Sequence, residues 1–206
     1  MKKIITEGIC TFFLMLSILM ASGVLSPLAV GFLLMALTYS GMRISGAHYN
    51  PAITFIMLLQ NKITRDEFPL YVVAQVVGAV LAAAISGFLL TAVAGMDISM
   101  RTNHTMAALV AEFVGAFALA YVFLNVTLPA KAVGNMYYGA AIGLMVTALS
   151  VMFGEVSGAV FNPAVAVGMA ISGKIAWGDV WLYLVATFLG AGAASTVFTL
   201  LEAQED

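Results

Sequence analysis

Apolar residues run through this chain in long blocks that only short polar clusters interrupt. No charged residue occurs from Gly8 through Met42. A bilayer crossing takes about 20 predominantly apolar residues in a helix. That block therefore holds two crossings, parted where turn formers gather from Ala21-Ser22-Gly23 to Ser26-Pro27. It is also too long for the apolar core of a signal peptide, despite the leading Met1-Lys2-Lys3. The pattern predicts six spans, at 4–20, 27–41, 68–93, 106–128, 136–153 and 180–201. Two further apolar stretches, 44–59 and 156–171, are too short and too rich in Gly and Pro to cross. They read as re-entrant segments, whose backbone is tolerated at membrane depth only where protein or a water-filled cavity covers it.

Composition fits a chain set in lipid. Of 206 residues, 63% are hydrophobic and 9% charged, and the mean hydropathy is +1.06. Soluble domains are nearer half apolar and a quarter charged. With 8 Lys+Arg against 10 Asp+Glu there is no basic patch for nucleic acid. Cys10 is the single cysteine, which excludes an intrachain disulfide and a cysteine metal cluster, and neither metal nor cofactor is expected. An N-terminus on the inside puts Lys2, Lys3, Arg43, Lys62, Arg65 and Lys131 in the cytoplasm and only Arg101 and Lys174 outside. Cytoplasmic loops carry such an excess. The expected product is a multi-pass integral membrane protein with both termini cytoplasmic, the acidic tail 202–206 included, and with His104 on an external loop.

An internal repeat fixes the architecture. Shifting the chain by 112 residues lays Ala29, Gly31, Ala36, Leu37, Ser45, Gly46, Ala47, Asn50, Pro51 and Ala52 on identical residues. The register persists through Leu70, Tyr71, Ala74, Gly78 and Ala82, and Glu7 meets Glu112 at a shift of 105. The chain is thus one domain over 1–206, with one repeat at about 1–96 and the other at about 104–202. Three spans per half is an odd number, so the halves cross the membrane in opposite senses, as an inverted repeat about an axis in the membrane plane. The fold class is all-α: six transmembrane helices and two re-entrant half-helices whose tips meet near the midplane. Gly78 with Ala82, Gly190 with Ala194, and Gly139 with Gly143 are spaced for close helix packing.

At each tip stands Asn-Pro-Ala: Asn50, Pro51 and Ala52, then Asn162, Pro163 and Ala164. Asn is a strong N-cap and Pro suits the first helical turn. Half-helices should therefore start at the tips and run outward. A capping Asn accepts through its oxygen and keeps its NH₂ to donate into the centre of the molecule. Both half-helix N-termini bring about half a positive charge there. A solute would meet donors and a positive potential, so cations are repelled and protons are not relayed.

These features resemble the aquaporin, or major intrinsic protein, family. The resemblance rests on Ser45-Gly46-Ala47-His48-Tyr49-Asn50-Pro51-Ala52, on Ser157-Gly158 with Phe161-Asn162-Pro163-Ala164, and on the paired Glu7 and Glu112. It implies a homotetramer in which each protomer holds its own pore. It also assigns the narrowest point to Val30, Ser150, Ala159 through its carbonyl, and Val165. Water-selective members usually carry an aromatic, a His and an Arg at the first, second and fourth of these. Glycerol-conducting members tend to have an Asp where this chain has Ala166. Val, Ser and Val should give a wider, less polar and uncharged constriction, with Glu155 near the same outer mouth. Glu7 and Glu112 could be a proton-relay pair or structural carboxylates accepting loop N–H groups; the resemblance supports the second, with Gln serving nearly as well as Glu. His48 could be a pH gate, or a loop brace lining the inner half of the pore.

The expected function is a passive channel, not an enzyme, for water and small uncharged solutes such as glycerol, urea, ammonia or metalloid hydroxides. The alternative is a secondary transporter, which also uses inverted repeats and broken helices. No cluster of Asp or Glu that would hold a coupling ion accompanies either tip.

Overall fold

The computed structural model describes residues 1–91, 105–128 and 134–203, and the expectations for Arg101, His104, Lys131 and residues 204–206 lie outside the described residues. Among the described residues, six helices are long and apolar enough to cross a membrane. They are α1 (Lys2–Met20), α2 (Ser26–Ser45), α4 (Glu67–Thr91), α5 (Thr105–Thr127), α6 (Tyr138–Ser157) and α8 (Val180–Glu202). Between them lie the short α3 (Pro51–Leu59) and α7 (Pro163–Ile171), nine residues each. A 3₁₀ turn over Trp177–Asp179 leads into α8.

Two boundaries differ from the sequence reading. Helix α2 runs past Gly41 to Ser45, and α6 runs past Phe153 to Ser157. Gly41 lies inside α2 as a packing position rather than a stop: a Cβ there would collide with the Tyr49 hydroxyl. Both helices end instead at left-handed glycines, Gly46 (φ 87°) and Gly158 (φ 84°), which close the last turn onto Met42 O and Gly154 O. A glycine just past the helix adopts that conformation without a Cβ penalty. The extended legs of the re-entrant segments are thereby cut to a few residues each.

Packing follows the repeat. Helix α1 lies on α4 as α5 lies on α8, and α2 meets α6 between the two halves. The contacts depend on absent side chains. A Cβ on Gly78 would strike Gly8 O, one on Gly190 would strike Phe113 O, and Gly31 and Gly143 each face the other's carbonyl. Gly31 and Gly143 are themselves repeat partners, as contact across a pseudo-two-fold axis requires. Val73, Val77, Leu81, Val185 and Leu189 point outward and exposed, the surface a bilayer would cover. The half-helices α3 and α7 sit inside this shell, their buried residues apolar except for Thr54 on α3.

Candidate functional site

Each re-entrant loop hangs on one buried carboxylate. Glu7 is fully buried on α1. Its Oε1 accepts from Ser45 Oγ at 2.6 Å and His48 N at 3.0 Å, and its Oε2 from Tyr49 N at 2.7 Å and Gln75 Nε2 at 2.8 Å. On α5 Glu112 does the same work, accepting from Ser157 Oγ at 2.6 Å, Val160 N at 2.9 Å and Phe161 N at 2.6 Å. Tyr71 and Tyr183 donate from α4 and α8 to Ser45 O and Ser157 O. The carboxylates hold a strained backbone. Ala47 and Tyr49 stand at φ 51°, Ala159 at 50° and Phe161 at 48°. Left-handed conformation in such residues costs of order 1–3 kcal/mol each, and persists only where surroundings over-determine it. Turning these residues over directs N–H groups 48, 49, 160 and 161 at the carboxylates.

The same turn delivers the tips. Asn50 Oδ1 accepts from Ala52 N at 2.8 Å, and Asn162 Oδ1 accepts from Ala164 N at 2.9 Å and Val165 N at 3.4 Å. Asn50 Nδ2 donates to Phe161 O, and Asn162 Nδ2 donates to Tyr49 O, both at 2.9 Å. The NH₂ groups are therefore half engaged rather than free. One hydrogen of each locks the opposite loop, and one remains for the cavity that both residues line.

That cavity holds about 570 Å³ and reaches from the α1–α2 loop at Ser22 and Gly23, past both Asn residues, to His48. Val30, Ser150, Ala159 and Val165 all line it, as does Glu155. Val165 shows only 1% of its surface. Pro51, Ala52, Pro163 and Ala164 are buried behind the tips. His48 Nδ1 lies 3.2 Å from Thr54 Oγ1. That hydroxyl donates to Asn50 O and accepts from Gln75 Nε2. Its remaining lone pair takes the His48 Nδ1 proton, which leaves Nε2 an acceptor. The ring is further held against Tyr71, with centroids 5.0 Å apart. Ser45, Ser157, Tyr71 and Tyr183 showed in the sequence only as repeat matches without a role. Gln75 and Thr54 carried no such mark, because Thr187 and Ala166 occupy their repeat positions. Lys174, which also lines the cavity, read only as an external charge.

The family model described as Major intrinsic protein matches residues 1–198. The chain belongs to the major intrinsic protein family. Among similar proteins, Nodulin-26 of Glycine max is 33% identical over 83% of this chain and 63% of its own length. Aquaporin NIP1-4 of Oryza sativa subsp. japonica is 31% identical over 100% of this chain and 79% of its own. The chain spans between 55% and 79% of the length of the plant relatives it matches. The X-ray structure of the aquaglyceroporin from Plasmodium falciparum superimposes with a TM-score of 0.80 at 21% identity, covering 96% of this chain and 94% of that one. This likeness shows the fold. As a major intrinsic protein, the chain has its paired broken helices accounted for as one arrangement, six crossings around two re-entrant segments.

Proposed function

We infer that this chain is a passive channel for water and small uncharged solutes, with no enzymatic step. The observation that carries the reading is the pair of opposed half-helices, α3 and α7, cross-bonded by Asn50 and Asn162 beside a cavity that reaches from the α1–α2 loop to His48. Two helix N-termini and two amide hydrogens favour an oxygen acceptor and repel cations at that point. A water held through its oxygen there has no onward acceptor for a proton. Val30, Ser150, Ala159 and Val165 form the constriction, which without a charged or aromatic side chain admits solutes larger than water. Glycerol, urea, ammonia and metalloid hydroxides fit that chemistry.

A coupled transporter needs a site for its driving ion. Among the described residues, the acidic groups nearest the tips are Glu7 and Glu112, and the hydrogen bonds of the re-entrant loops occupy their oxygens. Both termini are placed in the cytoplasm on the basic excess of that side, and the assembly is a homotetramer with one pore per protomer, on the family resemblance. Stopped-flow light scattering on proteoliposomes challenged with sucrose, glycerol and urea gradients tests the channel. Water flux well above protein-free vesicles, with measurable glycerol or urea re-swelling, is expected. Solute uptake that saturates at low concentration or carries charge would favour a transporter instead.

A further inference from the structure

The two halves place a lysine at the same point after each half-helix. Lys62 N donates to Met57 O at 2.9 Å after α3, and Lys174 N donates to Met169 O at 2.8 Å after α7. The preceding residues, Asn61 at φ 54° and Gly173 at φ 76°, are both left-handed. The following Ile63 and Ile175 are both buried. Local backbone is therefore alike, yet the side chains part company. Lys62 is exposed. Lys174 is 9% exposed and lines the cavity.

A lysine whose stem is mostly buried keeps its charged end where water or a solute can reach it. Among the described residues, Lys174 has neither an ion pair nor a side-chain hydrogen bond, although Glu155 lines the same cavity. Its three donors are left to water or to a solute in the cavity that it lines. Most of the other walls there are apolar, and Val165 adds no charge. Among the described residues that line the cavity, Lys174 is the one lysine or arginine, and the hydrogen bond to Met169 O holds its backbone.

We propose that Lys174 is a specificity-determining residue of this mouth, its ammonium docking the acceptor oxygen of entering neutral solutes and barring cations. The proposal rests on the channel reading above. A hydroxyl or carbonyl oxygen accepts from the ammonium at the mouth, then from Asn50 and Asn162 deeper in. A cation meets the lysine charge before the half-helix termini, so the wide constriction need not itself discriminate.

The test uses the full chain in proteoliposomes, as wild type, Lys174→Met, Lys174→Arg and Lys62→Met, with water flux, glycerol flux and potassium conductance measured on the same preparations. Lys174→Met should raise potassium conductance per unit water flux about ten-fold, the order expected on removing a unit charge beside a partly screened path, and lower the glycerol-to-water ratio. Lys174→Arg should restore both ratios, and Lys62→Met should match wild type. If Lys174→Met does not fold, cyanate added to one side of wild-type vesicles neutralises accessible lysines after folding, and peptide mass spectrometry reads position 174. Unchanged ratios in folded Lys174→Met overturn the proposal, as do unchanged ratios in Lys174-carbamylated protein or no carbamylation of Lys174 from either side. A wild type passing neither water nor glycerol would sink the channel reading itself, which the control flux reveals separately.

Discussion

Replacing Glu7 measures what a buried carboxylate contributes to a strained loop. Each of its oxygens receives one backbone N–H, from His48 and from Tyr49, and one side-chain donor, from Ser45 and from Gln75. Leucine strands both N–H groups, at about 1–3 kcal/mol each, so about 2–6 kcal/mol in all. Glutamine has one acceptor and one donor end. Its NH₂ can face Ser45, whose hydroxyl turns to accept, or Gln75, whose Oε1 has no partner and can flip toward it. Either way one backbone N–H faces a donor, so glutamine costs about 1–3 kcal/mol and is not the near-neutral exchange that shape alone predicts. Hydrogen bonds in membrane bundles average about 0.6 kcal/mol with a maximum near 1.7, which puts both figures toward their lower ends: about 1 for Glu7→Gln and at least 2 for Glu7→Leu. Unfolding in mixed micelles by rising SDS fraction should order wild type above Gln above Leu, with water flux per folded protein following the same order. Glu7→Gln as stable as wild type, or Glu7→Leu no worse than Glu7→Gln, would refute the bracing argument. A conductance that follows pH in wild type but not in Glu7→Gln would instead make the carboxylate a proton relay.

Asn162→Asp should weaken the barrier to protons and cations, because a carboxylate replaces the donor to Tyr49 O and opposes two helix N-termini; proton flux in pH-jumped proteoliposomes reads it. Gly190→Ala should cost about 1–3 kcal/mol by forcing α8 off Phe113 O, whereas Gly87→Ala meets open space and should gain about 0.5–1 kcal/mol, both by the same SDS titration. Val165→Arg should cut glycerol flux more than water flux, since a guanidinium must enter the cavity from a position with 1% exposure; equal loss of both would refute it. Burial holds the Lys174 ammonium below the usual lysine range, so its charge is lost as pH rises, sooner than for an exposed lysine. Cation exclusion should therefore fade on the alkaline side in wild type and be flat there in Lys174→Met. The other titratable residues lining the cavity, His48, Tyr49 and Glu155, are common to both proteins.

What both halves require was legible, because it is written twice. Ser-Gly-Ala and Asn-Pro-Ala recur at a spacing of 112 residues, and the structure turns each copy into the same helix stop, the same left-handed turn and the same cap. The left-handed Tyr49 and Phe161 were not legible. No glycine marks them, and their conformation is imposed by carboxylates 42 and 49 residues away in sequence. The role of Gly41 is equally hidden: it reads as a breaker until the Tyr49 hydroxyl is seen to fill its place. Differences between the halves are harder to read and matter more for selection. At equivalent repeat positions His48 stands where the other half has Val160, Gln75 where it has Thr187, and buried Lys174 where it has exposed Lys62. A scaffold with near two-fold symmetry presents equivalent helix termini from both sides, so it cannot by itself make one mouth choose differently from the other. Any selectivity beyond the central Asn pair must come from positions where the halves differ, in residue or, as at Lys62 and Lys174, in where the side chain lies, and those are the positions at which mutation should change what passes rather than whether the protein folds.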